Sequence, residues 1–199
     1  MKLTDIKIFV INLNKREDRL EEISKMLEGY NWERIEAVET AKGYIGCVLS
    51  HIKCLKKAII DDLPEVIIME DDHRFINEKE FKYPLGGPGG RECDVCLLTG
   101  KSIKGEFIDE NFMKIQSARH TDCYLVKRHY YKTMIKCFYE SLLKLLNNYE
   151  HQYYIDVYWD KYMRIDNFIC LRKLIGYQKE DYSDIQNMEV KRNKIKLIY

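Results

Sequence analysis

Three consecutive acidic residues, Glu70, Asp71 and Asp72, are the part of the sequence whose residue types and spacing point most directly to chemistry. They follow residues 65–69, a short apolar run of the kind that forms a buried strand. Because open α/β sheets bind ligands beyond the carboxyl ends of their strands, the triplet stands where such a sheet would place a site. Crowded carboxylates repel one another, and a hard divalent cation such as Mg²⁺ or Mn²⁺ between them relieves the repulsion. A solvated acidic strand end, or a cap for a following helix, is the alternative.

The elements that must position this triplet alternate between strands and helices. Residues 6–13 are a nearly continuous β-branched run, which predicts a central strand buried on both faces. Apolar residues at helical spacing predict an amphipathic helix that ends near Gly29, and a second helix from about Gly46 until Pro64 forbids continuation. We therefore expect a single α/β domain over residues 1–199. Further strands are predicted at residues 95–98, 112–115 and 123–126, and further helices at residues 134–145 and 155–162.

Composition narrows the classes of partner and compartment. The formal net charge is +1, so the chain offers no field that would gather nucleic acid or anionic membrane. Seven cysteines without a repeating spacing fit free thiols in a reducing compartment better than a disulfide framework. Asp5 stands where a signal peptide needs apolar residues, and no run approaches the roughly 18 apolar residues of a membrane span. We expect a cytoplasmic protein without a nucleic-acid partner; its oligomeric state is left open.

Four blocks of the sequence resemble glycosyltransferase family 25, which includes lipooligosaccharide and collagen galactosyltransferases. The blocks keep the family's order and span nearly the whole chain, which makes the resemblance far more specific than any single block. They are residues 10–13 with Arg16, Asp18, Arg19 and Leu20; residues 46–51 with Ala58; residues 67–72; and Gln178 with residues 183–185.

The resemblance implies a GT-A-type, Rossmann-like mixed sheet flanked by helices, together with a specific reaction. That reaction is the Mn²⁺- or Mg²⁺-dependent transfer of a hexose from a UDP-sugar donor to a hydroxyl of a glycan or protein acceptor, with inversion. Inversion requires in-line attack by the acceptor hydroxyl, a base that takes its proton, and a cation that neutralises the departing diphosphate. Secretory family members would be expected to carry a signal peptide, so this sequence favours a bacterial or viral enzyme.

The alternation of an extended chain distributes the three carboxylates between roles. Glu70 and Asp72 point to one side of the strand end and Asp71 to the other, so Asp72 first and Glu70 second are the expected metal ligands. Asp71 is then left to hold ribose or sugar hydroxyls of the donor. Asp184, in the last matching block, is the candidate for a third metal ligand, and a loop aspartate that caps a turn is the alternative.

Donor-binding residues are expected where the first strand passes into the first helix. Asn12, Leu13, Arg16 and Arg19 stand there, and backbone amides and the helix dipole favour anions at such a position. Arginine adds bidentate hydrogen bonding to phosphate. The alternative is a solvated helix face on which the arginines pair with Glu22.

The remaining site residues follow from the matching blocks. Ser50 and His51 lie on the second predicted helix, where His51 is off the apolar stripe and faces the donor; a structural histidine is the alternative. Gln178 and Ser183 are expected near the donor.

Asp156 is the candidate base, because the family has an acidic residue in a comparable place and the surrounding aromatic residues could stack on a sugar. Asp160 lies one turn later on the same face, and either residue could instead cap a helix or pair with Lys161 or Arg164.

Two other functions are compatible with the residues. A metal-dependent phosphohydrolase also uses carboxylates at strand ends, but it would need further acidic or histidine ligands at other strand ends. A non-catalytic protein that binds sugar nucleotides would have Asp156 misplaced relative to the metal.

Overall fold

The chain alternates strands and helices from its first strand onward, and the computed structural model describes residues 3–76, 92–185 and 188–190. The strands are β1 (Ile8–Asn12), β2 (Trp32–Glu36), β3 (Glu65–Glu70), β4 (His73–Phe75), β5 (Val95–Leu97), β6 (Lys101–Phe107), β7 (Phe112–Arg119), β8 (Cys123–Lys127), β9 (Phe168–Leu171), β10 (Gly176–Gln178), β11 (Asp181–Ser183) and β12 (Met188–Val190). The helices are α1 (Glu17–Met26), α2 (Gly43–Ile60), α3 (Tyr131–Asn147), α4 (Ile155–Tyr158) and α5 (Asp160–Met163).

An eight-stranded mixed sheet in the order β2-β1-β3-β8-β5-β9-β7-β6 forms the centre of the fold. β1 is parallel to both β2 and β3, and the crossovers between them are made by α1 and α2. The carboxyl ends of β1 and β3 therefore lie side by side, along the side of the sheet where both strands end. β8 runs antiparallel to β3, so its first residues arrive at that same side. The expected α/β class, a mixed sheet flanked by helices, is confirmed.

The sheet is buried on both faces, and the side chains of β1 show how. Phe9 and Ile11 join the apolar cluster that contains residues of α2 and α3, whereas Ile8 and Val10 join the cluster that contains residues of α1. All five residues of β1 are buried. Strands with two buried faces read as continuous apolar runs, which is why this strand and β3 were visible in the sequence.

The strands missed by the sequence prediction lie mainly at the edges of the sheet or outside it. β2 and β6 are the two outermost strands, and most of their residues are partly or fully exposed. Edge strands carry charged residues, so their pattern lacks the apolar signal of a central strand. The helix expected over residues 155–162 is two short turns, α4 and α5, with the fully buried Trp159 between them.

Two further observations concern the cysteines and the helices. All seven cysteines are free thiols. Within the described part of the chain, no helix is both long enough and apolar enough to span a membrane.

The start of α2 is held against the segment that precedes it by an unusually close approach. A Cβ atom added to Gly46 would lie 2.3 Å from the carbonyl oxygen of Val38. Ser50, one turn later, accepts a hydrogen bond from the Val38 N–H (2.8 Å) and donates one to the Gly46 carbonyl (2.7 Å). Glycine is thus required at position 46 because backbone, and not a movable side chain, occupies the space.

Gly46→Ala should destabilise the protein although alanine is the better helix former. Overpacking costs about 1–3 kcal/mol, which exceeds the roughly 0.5–1 kcal/mol that alanine gains over glycine inside a helix. Urea denaturation measures the change. Ile60→Ala, at an 81% exposed position of the same helix, is the control and should leave the midpoint nearly unchanged. A Gly46→Ala variant as stable as the wild type would show that residues 37–38 move away at no cost.

Candidate active site

The acidic triplet lies at the carboxyl end of β3, in the turn that leads to β4. Glu70 is the last residue of β3, and its N–H donates to the carbonyl of Asp122 at the start of β8 (2.9 Å). The N–H of Asp71 donates to the carbonyl of Ile11 (3.1 Å), so the triplet is anchored to both neighbouring strands. β4 then pairs with β10, which brings the C-terminal segment to the same edge.

Asp71 is buried and is held by partners from the first strand and the first helix. Its two oxygens accept hydrogen bonds from Asn12 Nδ2 (2.8 Å) and Arg19 Nη1 (3.0 Å). Burial raises the pKa of Asp71, and the Arg19 charge opposes that rise without cancelling it. Arg19 Nη2 also donates to the carbonyl oxygen of Tyr182 (2.6 Å). One guanidinium therefore links α1, the acidic turn and β11.

Glu70 and Asp72 share a different partner, the side-chain amide of Gln178. Gln178 Nε2 lies 3.0 Å from Asp72 Oδ2 and 3.4 Å from Glu70 Oε2. The other oxygen of Glu70 accepts a hydrogen bond from Thr121 (2.9 Å) and lies 3.3 Å from His51 Nε2. Burial opposes ionisation of Glu70, yet the hydrogen bonds and the neighbouring imidazole lower its pKa below the ordinary value. Glu70 is therefore a carboxylate at neutral pH.

His51 and Ser50 have separate tasks on α2. His51 is 1% exposed as a residue, and its Nδ1 lies 2.8 Å from the hydroxyl of Tyr124. Its other ring nitrogen faces Glu70, as described above. Ser50 bonds the backbone of Val38 and Gly46, which makes it a residue that fixes the loop before α2.

The two arginines of the β1–α1 region are not a solvated helix face. Arg19 is 7% exposed, and Glu22, the alternative partner from the sequence, instead pairs with Arg74 and Lys179. Arg16 Nη1 donates to Asp184 Oδ2 (2.7 Å), and that carboxylate also pairs with Lys15 (3.3 Å). Asp184 thus stands opposite two cations, and its expected role as a third metal ligand stays a prediction.

A cavity of about 750 Å³ opens beside the triplet and collects most of the predicted site residues. Those that line it are Leu13, Arg19, Ser50, His51, Glu70, Asp71, Asp72, Asp156, Gln178, Ser183 and Asp184. Asn12 and Arg16 are outside the lining, and each contacts one of its carboxylates, Asp71 and Asp184 respectively.

Asp156 lies in the first turn of α4 and lines the cavity, whereas Asp160 does not. Asp156 Oδ2 accepts a hydrogen bond from the backbone N–H of His120 (3.2 Å). Asp160 pairs with Arg119 (3.0 Å), and Lys161 pairs with Glu140, so the alternative pairing of Asp160 with Lys161 is not found.

A buried histidine–aspartate pair behind the triplet was missed by sequence reasoning. His73 Nδ1 lies 3.1 Å from Asp122 Oδ2, and the side chains are 0% and 1% exposed. Burial disfavours the Asp122 carboxylate, but its hydrogen bond with His73 lowers its pKa below the ordinary 3.8. The signal for this pair would have been the antiparallel pairing of β3 with β8, which periodicity within one strand does not reveal.

Comparison with known proteins agrees with this geometry. The family model described as glycosyltransferase family 25 (LPS biosynthesis protein) matches residues 36–132. This match covers just under half of the chain, and it confirms the resemblance carried by the sequence blocks at residues 46–51 and 67–72.

The solved structures to which the chain is similar have low sequence identity to it. A197 from STIV is 15% identical, covers 98% of this chain and 100% of its own, and has a TM-score of 0.50. A glycosyltransferase involved in the glycosylation of the major capsid of PBCV-1 is 11% identical, with 83% of this chain and 91% of that chain covered and a TM-score of 0.43. A nucleoside-diphosphate-sugar pyrophosphorylase from Vibrio cholerae RC9 is 10% identical, with 84% and 73% covered and a TM-score of 0.43. No curated protein matches the chain by sequence.

Asp71→Asn should destabilise the protein by about 1–3 kcal/mol, because it removes one charge of a buried ion pair while the Arg19 guanidinium keeps its longer ionic contacts with Asp72 (3.7 Å) and Asp181 (3.4 Å). The charge left behind is that of Arg19, whose side chain is 8% exposed. Urea denaturation measures the loss, and Asp62→Asn, at a side chain that is 84% exposed, is the matched control. Equal midpoints for the two variants would contradict a structural role for the Arg19–Asp71 pair.

Stability should fall as the solution is acidified, and Asp122 should account for part of the fall. Its folded pKa is depressed, so it contributes stability above its ordinary pKa of 3.8 and loses that contribution as the pH falls through the folded value. We expect the urea midpoint to drop as the pH falls below about 4 in the wild type, and to drop less in Asp122→Asn. Parallel curves for the two proteins would contradict the assignment.

Proposed function

We propose that the protein is a glycosyltransferase that moves a hexose from a UDP-sugar to a hydroxyl of a glycan or protein acceptor, with inversion, and that Mn²⁺ or Mg²⁺ assists the transfer. The observation that carries the proposal is the cavity that Glu70, Asp72 and Asp156 line together. The proposed metal ligands and the proposed base thus line one space. Its volume of about 750 Å³ lies within the range of small-molecule sites, roughly 300–1,000 Å³.

The donor set at the cavity suits a hard divalent cation. One oxygen from Glu70 and one from Asp72 lie within 3.4 Å of a single point, the Gln178 amide nitrogen, which carries partial positive charge. Carboxylate oxygens are the ligands that Mg²⁺ and Mn²⁺ prefer. A cation held by Glu70 and Asp72 would supply charge neutralisation for the departing diphosphate.

Cationic and backbone groups beside the carboxylates favour the donor phosphates. Arg19 lines the cavity with its guanidinium oriented by Asp71, so little ordering remains to be done when an anion binds. Lys15 also lines the cavity, in the loop before α1, where the helix dipole favours negative charge. Asp71, which lines the same wall, is the proposed partner of the donor's hydroxyl groups.

Asp156 is the proposed base. A carboxylate that takes the proton of an attacking hydroxyl must reach that hydroxyl directly or through one water. Asp156 lines the cavity, and its backbone position at the first turn of α4 is fixed by the fully buried Trp159 that follows. Tyr44 and Tyr154 line the cavity as well, with their rings stacked on each other at a centroid distance of 3.3 Å.

UDP-glucose, UDP-galactose and their N-acetyl forms should be screened with Mn²⁺ for thermal stabilisation and for UDP release. One of them should raise the melting temperature in the presence of metal, since a ligand at 100 times its Kd stabilises by about 2.7 kcal/mol. Asp72→Asn should abolish both the metal-dependent shift and the release, while Asp62→Asn, far from the cavity lining, should retain both.

The same screen separates the alternatives. A phosphohydrolase would release product at full rate without acceptor, whereas a transferase releases UDP slowly until the acceptor hydroxyl is supplied. Stabilisation without any turnover would favour a binding protein. If no nucleotide sugar shifts the melting temperature and Asp72→Asn behaves as the wild type, the proposed function is wrong.

A further inference from the structure

A second set of metal-ligand groups meets at the wall of the cavity. Cys47 Sγ, a ring nitrogen of His51 and a carboxylate oxygen of Glu70 all lie within 4.8 Å of one another. Cys47 and His51 are four residues apart on α2, a spacing that puts both side chains on the same face of a helix. Glu70 reaches them from the end of β3.

The distances within this set suit a small tetrahedral ion. Ligands placed about 2.0–2.2 Å from a Zn²⁺ ion in tetrahedral geometry are separated by roughly 3.3–3.5 Å. His51 Nε2 and Glu70 Oε1 are 3.3 Å apart already. Cys47 and Glu70 keep some exposure to the cavity, so the thiol has room to approach and a fourth position remains for solvent.

His51 is oriented as a metal-binding histidine requires. Its Nδ1 lies 2.8 Å from the hydroxyl of Tyr124, a side chain that is fully buried. When Nδ1–H donates to that oxygen, the lone pair of Nε2 points toward Glu70 and Cys47. An outer hydrogen-bond partner of this kind fixes the tautomer and ring orientation of histidine ligands to zinc.

The chemistry of the donors separates this set from the Glu70–Asp72 pair. Sulfur and imidazole nitrogen favour Zn²⁺, whereas an all-oxygen pair favours Mn²⁺ or Mg²⁺. Glu70 is common to both sets, so the two ions compete for one carboxylate.

We propose that Cys47, His51 and Glu70 bind Zn²⁺, and that the bound ion inhibits sugar transfer by withdrawing Glu70 from the hard-metal pair. Binding replaces the thiol proton of Cys47 by the metal and releases that proton to solvent. The first half of the proposal stands on the geometry of α2 and β3 alone. The second half rests on the proposed function.

Co²⁺ substitution tests the binding site without any need for activity. Titration of the metal-free protein with Co²⁺ should produce a thiolate-to-metal charge-transfer band that saturates at one equivalent, and Zn²⁺ should displace it. Cys47→Ser should lose the band. It should also lower the Zn²⁺ affinity, measured by competition with a chromophoric chelator, by at least about 100-fold. Losing a residue that only hydrogen-bonds to a ligand costs at most about 100-fold, so a larger loss indicates a direct ligand. Cys93→Ser, at a buried cysteine outside the cavity, should keep both.

Tyr124→Phe gives a variant that keeps all three ligands. It removes only the hydroxyl that orients His51, so the charge-transfer band should remain while Zn²⁺ affinity falls about 10- to 100-fold. Absence of a thiolate band in the wild type, or equal Zn²⁺ affinity in Cys47→Ser, would overturn the site.

Inhibition is read separately, as Mn²⁺-dependent UDP release at increasing Zn²⁺. The wild type should be inhibited, with relief by excess Mn²⁺, and Cys47→Ser should resist. Inhibition that is equal in the two proteins would overturn the competition. If the wild type releases no UDP at all, the proposed function fails and the inhibitory half fails with it, while the Co²⁺ titration still decides the site.

Discussion

The ion pair between Arg19 and Asp71 holds together parts of the chain that no single element could align. It joins α1 to the turn after β3, and the same guanidinium reaches the backbone of Tyr182 in β11. Both partners are nearly buried, and their attraction is balanced against a large cost of desolvation. Such a pair adds little net stability, but it strongly favours the one arrangement in which both charges are matched.

The same constraint explains why three adjacent carboxylates can persist at the end of one strand. Asp71 is matched by Arg19 and Asn12, Asp72 by Gln178 and at longer range by Arg19 (3.7 Å), and Glu70 by uncharged or imidazole donors. Asp71 is held in place by the framework, and Glu70 and Asp72 keep part of their capacity for a cation. The acidic triplet is therefore a structural anchor and a candidate binding site in the same turn.

The sequence was sufficient for those features that depend on local patterns. The buried runs of β1 and β3, the helix before the acidic triplet and the position of the triplet at a sheet edge all follow from apolar spacing and strand direction. The edge strands of the sheet, β2 and β6, could not be predicted, because the polar residues of an edge strand give the same sequence pattern as a loop. The pairing of Asp184 with Arg16 and Lys15 was also beyond reach, because ion pairs across the chain leave no periodic trace.

The residues of the block at the start of α2 each have a different structural role. Gly46 lets the preceding backbone approach, Ser50 binds that backbone, and His51 carries a nitrogen to Glu70. Each reason is simple once the neighbours are known, and none can be read from the helix alone. The resemblance to a family identified these residues, and the structure shows the contacts that each of them makes.

The contact between Arg16 and Asp184 spans 168 positions of the chain, and it has a consequence for how the protein is made. A ribosome releases the acidic triplet and α2 long before residues 178–185 emerge. Until then, the guanidinium groups of Arg16 and Arg19 lack the C-terminal residues that they contact in the folded protein. Closing so long a loop is entropically costly and slow. The cavity side of the molecule is thus the last to be completed during synthesis, after the sheet that supports it.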